Sequence, residues 1–485
     1  MTTLGDQQMW IGGEWVEARS GDRRSATSPA TGAEIGTVPD GDRVDAQTAI
    51  DAANEVADRL LWTTPVQRSA FCHRIADELE SRREELAQAL TLDQGKPITE
   101  ARMEAGACSH FYRQAAEDIL RLRGETLHSA DPNKRILSFY QARGAYAVIT
   151  PWNFPYNIPS EYLSANVAAG NPVVWVPAPT TSASGLVFAR ALEAADLPAG
   201  SINVVTGAGP VVGDEIVANP GTVGVCFTGS TVTGKTIATR GAGKPLLLEL
   251  GGNGPVIVLD DANVEKAADG VVFSAYFNAG QACSATERVI VQQGIADELV
   301  EAVMTRTASV RLGDPFDEST TMGPLNNEAT AAKMDRHVAD AREKGATVLT
   351  GGGRASGFPT DLYYQPTVVV GVTQEMMLHT EESFGPIAPF TTVETMEEAV
   401  RVGNDNALGL ISSVYTRNLA SAYYVAERIR TGVVNVNETP DYWESHVPYG
   451  GRAGTGSGIG RLGGLNTLRE VMDIRSMAID LEGGR

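Results

Sequence analysis

The stretch AYAVITPWNFPYNIPSEYLSANVAAGNPVVWV, residues 145–176, decides how this chain is read. AYAVIT (145–150) and NPVVWV (171–176) are short apolar runs rich in β-branched residues, as strands buried on both faces require. SEYLSANVAAG between them is long enough for a crossover helix. Strand, helix and strand at this spacing predict parallel neighbours in one sheet. The texture continues outward through INVVT (202–206), VGVCFT (223–228) and LLLEL (246–250), with SGLVFARALEAADLP as a further helical crossover. After Gly251–Gly252 it restarts with PVIVL (255–259), RVIVQ (288–292), YQPTVVVGV (364–372), LISSVYT (410–416) and VVNVN (433–437). The expected fold class is therefore α/β, with two parallel-sheet units. In the first third helical periodicity dominates, through Ile50, Ala53, Ala57 and Leu60 and then Phe71, Ile75 and Leu79. The less periodic segment 124–142 predicts a projecting hairpin, and the Gly-rich stretch 450–464 a loop.

The 485 residues are ample for two or more cores, and 39 basic against 60 acidic residues give a net charge of −21. Such an acidic chain repels a phosphate backbone, so nucleic-acid binding is not expected. The N-terminal MTTLGDQQMW lacks the basic and apolar regions of a secretory signal. The longest apolar run, LLLELGGNGPVIVL (246–259), is broken by Glu249 and four glycines or prolines, so no membrane association is expected. Cys72, Cys108, Cys226 and Cys283 are widely separated and form no CxxC pair, which fits a reducing cytoplasm and argues against a metal site.

Four local features carry chemistry. Gly229-Ser-Thr-Val-Thr-Gly234-Lys235-Thr236 satisfies a phosphate-loop pattern, but four strands precede it and the next strand follows too soon for the usual long helix. A Gly-rich turn facing a dinucleotide pyrophosphate is the reading that survives. Cys283, in FNAGQACSATER (277–288), has small and polar flanks, whereas Cys72, Cys108 and Cys226 lie in apolar or amphipathic segments. Glu249 is a lone carboxylate among leucines at a strand end, which is costly unless the group works as a base; a Glu bonded to nearby backbone is the alternative. Asn153, in PWNFP (151–155), offers a neutral donor for an oxyanion, or simple turn chemistry.

Together PWNFP, FTGST (227–231), LELGG (248–252), FNAGQACSATER, EESFGP (381–386) and PYGG (448–451) resemble the aldehyde dehydrogenase superfamily over nearly the whole chain. The resemblance implies two Rossmann-like domains: 1–123 with 143–250 for the dinucleotide, 251–450 for catalysis, and 124–142 with 465–485 bridging subunits of a homodimer or homotetramer. It implies Cys283 as nucleophile, Glu249 as base and Asn153, with the Cys283 N–H, as oxyanion donors. Trp152, Gly209, Gly229, Ser230, Glu382 and Phe384 would hold NAD. Such an enzyme oxidises an aldehyde through a thiohemiacetal and a thioester, which water hydrolyses.

Two departures bear on specificity. The Lys and Glu that the family usually directs at the adenosine ribose are Val176 and Pro179 here. NAD is expected, with NADP tolerated. Glu161 stands where relatives that oxidise succinate semialdehyde carry Arg. With Asp441, Tyr442 and neighbouring acids and aromatics it suggests an amino- or other cationic aldehyde. Tyr156, Ala282 and Ser284 complete the expected channel. The alternatives are an aromatic or aliphatic aldehyde, or a CoA-acylating relative, which generally lacks the base at Glu249.

Overall fold

The computed structural model describes residues 2–482. Its larger sheet has eight strands, in the order Gly458–Ile459, Leu246–Glu249, Gly224–Thr228, Tyr146–Ile149, Val173–Val176, Ile202–Val204, Met9–Ile11 and Glu14–Val16. The five central strands are parallel. Side chains alternate strictly between two cores. Tyr146, Val148, Val173 and Trp175 face helices Pro65–Ser81, Ile98–Arg121, Asn157–Ala169 and Ser182–Ala194. Ala147, Val174, Val225 and Phe227 face helix Arg43–Leu61 on the other side. That burial on both faces is why these strands read as unbroken apolar runs.

The second sheet has seven strands, in the order Thr347–Thr350, Thr367–Val370, Ile387–Val393, Arg288–Gln292, Pro255–Val258, Ile411–Tyr415 and Val433–Val436. Its alternation is equally clean, with Val256 and Val258 in one core and Ile257 and Ile290 in the other. Thr126–Leu127, Lys134–Ala142 and Met472–Asp480 form a third, projecting sheet. Phe139, Ile474 and Met477 are exposed on it. Among the described residues, no helix is long and apolar enough to cross a membrane.

Several expectations need correction. Residues 9–39 are not helical but hold four strands, two of them only three residues long and too short to show a period. Strand Ile387–Val393 was hidden by Pro386 and Pro389. The Gly-rich stretch is more than a loop, because Ile459 and Gly458 pair with Leu248 and Glu249 and extend the first sheet. Segment 465–485 is not a simple bridge. It begins with helix Leu465–Glu470, packed on Ile98–Arg121 and Asn157–Ala169, and its residues 483–485 lie outside the described ones.

Candidate active site

In the first sheet the chain runs from Tyr146–Ile149 through Val173–Val176 to Ile202–Val204, then returns to Gly224–Thr228 on the opposite flank. The crevice beyond the carboxyl ends of Tyr146–Ile149 and Gly224–Thr228 is therefore a topological switch point, where such sheets bind ligands. PWNFP leaves one strand there and Gly229–Ser230 the other. Helix Thr231–Arg240 starts immediately, and the Ser230 hydroxyl caps it by accepting the Thr233 N–H at 3.2 Å. The phosphate-loop reading fails on this geometry. Lys235 and Thr236 lie on the exposed surface of the helix, and the Thr236 hydroxyl donates to the Val232 carbonyl.

The same crevice fits a dinucleotide. A Cβ at Gly209 would meet nothing within 4 Å, so backbone there stands open to a phosphate. The uncapped N–H groups of helix Thr231–Arg240 suit the same anion. Trp152 and Phe384 meet edge to face with ring centroids 5.5 Å apart. Phe384 holds φ +60, a strained value for a side-chain-bearing residue. Buried Glu287 fixes it by accepting the Ser383 and Phe384 N–H groups, both at 2.8 Å. Glu382 accepts the Gly252 N–H at 2.8 Å, and burial pushes its carboxyl up to about 6. Val176 is buried and Pro179 exposed, and neither side chain offers a charge or a hydrogen bond to an adenosine ribose.

Cys283 and Glu249 come together from the two sheets' ends. The contact depends on Gly252, where a Cβ would lie 2.0 Å from the Cys283 carbonyl oxygen. Only glycine lets the LELGG turn approach the cysteine loop so closely. That loop is itself strained, with positive φ at Asn278, Ala279 and Gly280. A buried amide network holds it. Asn278 receives a hydrogen bond from Gln94 at 3.1 Å and donates to the Asn153 carbonyl at 2.9 Å. The Asn153 side chain donates one N–H to the Gln281 carbonyl at 3.0 Å, which leaves its second N–H. Lys96, buried and paired with Glu104, donates to the Asn153 carbonyl at 2.9 Å. Glu104 also accepts the Tyr156 N–H at 2.9 Å.

Cys283 and Glu249 line a cavity of about 650 Å³. Burial and then the Glu249 charge push the Cys283 thiol well above its usual range, against a hydrogen bond shared with the Tyr449 hydroxyl at 3.4 Å. Burial and then the Glu382 and Glu161 carboxyls likewise raise Glu249. Its Oε1 is buried without a partner. The Glu249 charge thus disfavours the thiolate, whereas a hydrogen bond with Cys283 acts against the rise at Glu249. The other three thiols are fully buried. Burial pushes Cys72 and Cys226 up to about 12.

Aromatic rings make the cavity wall: Phe111 stacks on Trp443, Phe154 and Phe273 stack on Phe277, and Trp443 meets Tyr449 edge-on. Glu161 is in the wall too, but its carboxyl turns to the Gly463 N–H at 3.0 Å, and burial pushes it up to about 8. Ser284 and Asp441 line the cavity bonded to each other. Tyr156 and Tyr442 do not reach it. The Tyr156 ring stacks on Phe188 inside the core, and the exposed Tyr442 hydroxyl donates to Glu444. Ala282 is buried behind Cys283.

Sequence reasoning missed Tyr449, Glu287 and the pair Lys96–Glu104. A signal existed for Glu104, which falls three residues after Ala101 on the apolar face of helix Ile98–Arg121.

A model of the aldehyde dehydrogenase family matches residues 15–477. The chain belongs to the aldehyde dehydrogenase family. Among its relatives in the family, glutarate-semialdehyde dehydrogenase of Pseudomonas putida is 35% identical over 98% of both chains. Succinate-semialdehyde dehydrogenase (NADP(+)) GabD of Escherichia coli is 36% identical, again over 98% of both. The crystal structure of succinate-semialdehyde dehydrogenase from Burkholderia pseudomallei superposes with a TM-score of 0.96, at 36% identity over 98% of each chain.

Proposed function

We propose that this aldehyde dehydrogenase uses NAD or NADP to oxidise a neutral, apolar aldehyde, aromatic above all, and releases the acid by hydrolysis. The observation that carries this reading is the cavity: Cys283 and Glu249 share it with six aromatic rings, and among the described residues no Lys or Arg lines it. In this reading the Cys283 thiol gives its proton to Glu249, and the sulfur adds to the aldehyde carbon. The oxyanion formed is held by the free Asn153 N–H and the Cys283 N–H. Trp152, Phe384 and Glu382 would hold the nicotinamide, which would supply the hydride acceptor. Glu249, after releasing that proton to solvent water, then takes one from the attacking water. That water adds to the thioester carbon, and the C–S bond breaks to return the thiolate. A base raised by burial suits proton abstraction near neutral pH. The projecting sheet, with its exposed Phe139, Ile474 and Met477, is the oligomerisation surface in this reading.

The relatives named above act on semialdehydes, whose carboxylate tail needs a cation. Here the cavity's basic side chains are His110 and His446, both exposed at its mouth, and His446 lies 3.5 Å from Glu444. A desolvated carboxylate would go unpaired. For a cationic tail, burial keeps Glu161 protonated at pH 7 and raises Asp441, which Ser284 engages, while the exposed Glu444 is held by Tyr442 and His446. A phenyl group buried against the rings contributes about 2 kcal/mol, or about 30-fold.

The test compares kcat/KM for benzaldehyde, hexanal, succinate semialdehyde and a trimethylammonium aldehyde at pH 7. Benzaldehyde should lead both charged substrates by at least about tenfold; a lead by either charged one contradicts the proposal.

Glu161 adds a pH signature. Because its value is raised to about 8, it is neutral below that pH and becomes a carboxylate above it. Preference for the cationic over the neutral aldehyde should stay flat from pH 6 to 7 and rise above about pH 8. Glu161→Gln should abolish the rise. Full cationic preference already at pH 6 would show that Glu161 is ionised throughout.

A further inference from the structure

We propose that the Tyr449 hydroxyl is a catalytic group, donating a hydrogen bond to Cys283 Sγ and carrying part of the sulfur's negative charge as the thiolate forms. The inference rests on Cys283 being the nucleophile. The oxygen lies 3.4 Å from Sγ, and that sulfur is its hydrogen-bond partner. A thiol can donate or accept in this pair, but a thiolate only accepts, so the phenol must be the donor once the proton has gone.

The ring is held so that its hydroxyl stays aimed. Tyr449 is bridged to Leu462 through both backbone groups, at 3.0 and 2.8 Å. Its ring packs edge-on against Trp443 with centroids 5.7 Å apart and is nine-tenths buried. The charged surroundings make such a donor necessary. Glu249 from its strand end, Glu382 from the segment that places Phe384, and Asp441 from the loop before Tyr449 all raise the cost of a negative sulfur. Among the described residues, no Lys or Arg in the cavity wall offsets them. The Tyr449 hydrogen bond acts in the opposite direction, toward the thiolate. Glu249 takes the proton and Tyr449 keeps its own, so the step balances as one proton transfer with one hydrogen bond retained.

The test is the pH dependence of iodoacetamide inactivation, read on the native chain and on Tyr449→Phe. The phenylalanine keeps the ring and removes only the oxygen. Its inactivation profile should move up by about one pH unit, with about tenfold slower inactivation at pH 7. The kcat should fall while aldehyde KM changes less than about twofold. A profile unchanged in Tyr449→Phe overturns the proposal. As a check that leaves every side chain in place, replacing all tyrosines biosynthetically with the more acidic 3-fluorotyrosine should move the profile down; no movement there also overturns it. Failure of the nucleophile reading looks different: the native enzyme would stay active after Cys283 is fully alkylated.

Discussion

Cys283→Ala is expected to lower kcat/KM for aldehyde oxidation by about 10⁴-fold or more, while dinucleotide binding persists. The loss is this large because Cys283 is the cavity's thiol, and a hydroxyl is a far weaker nucleophile than a thiolate. Ser284, the neighbouring hydroxyl, is engaged by Asp441. Binding should survive because Trp152, Gly209, Ser230 and Phe384, which we propose hold the dinucleotide, lie on the sheet's switch-point crevice and its facing loop rather than on the cysteine turn. Steady-state kinetics and nucleotide titration by fluorescence check the two halves. Alanine at Cys72, Cys108 or Cys226 should instead cost stability, about 1 kcal/mol each from lost packing, and leave turnover near normal. Near-normal turnover in Cys283→Ala would remove the nucleophile from the scheme.

Glu249→Gln is expected to separate the two halves of the reaction. The amide is nearly isosteric and fits the same buried strand end, but it cannot take a proton. Reduced cofactor should appear in a burst of about one equivalent per site, followed by turnover about 10²–10⁴-fold slower than native. In this variant the Cys283 proton goes to solvent water, and removing the Glu249 charge makes the thiolate easier to form. Loss of the burst would mean Glu249 is indispensable before hydride transfer. Free CoA should not accelerate the native enzyme, whereas acceleration would favour acyl transfer to CoA over hydrolysis.

What could be read ahead of the structure follows from physical locality. Each central strand is buried on both faces, so it appeared as an apolar run, and the Gly- and Pro-rich turns at strand ends marked Asn153, Gly229, Glu249 and Gly252. Those features need only neighbours in sequence. Contacts made by topology left no comparable mark. Tyr449 reaches Cys283 across 166 residues, and Asn153 reaches Gln281 across 128. Side-chain direction was equally invisible. Counting along helix Asn157–Ala169 put Glu161 at the cavity, but showed neither its turn toward the Gly463 N–H nor the burial that raises it to about 8. The same blindness assigned Tyr156 and Tyr442 to a wall that neither touches. Strand Gly458–Ile459 was unreadable because its two residues pair through backbone alone, inside a glycine-rich segment.

The central claim is that the acyl group of the substrate is carried on Cys283 until Glu249 activates water to release it. The direct measurement is mass analysis of Glu249→Gln, quenched in acid during turnover with benzaldehyde and cofactor and then digested. A benzoyl adduct is expected on the peptide containing Cys283, approaching one per chain, with Cys72, Cys108 and Cys226 unmodified. Reduced cofactor formed with no acyl adduct, or with the adduct on another residue, would contradict it.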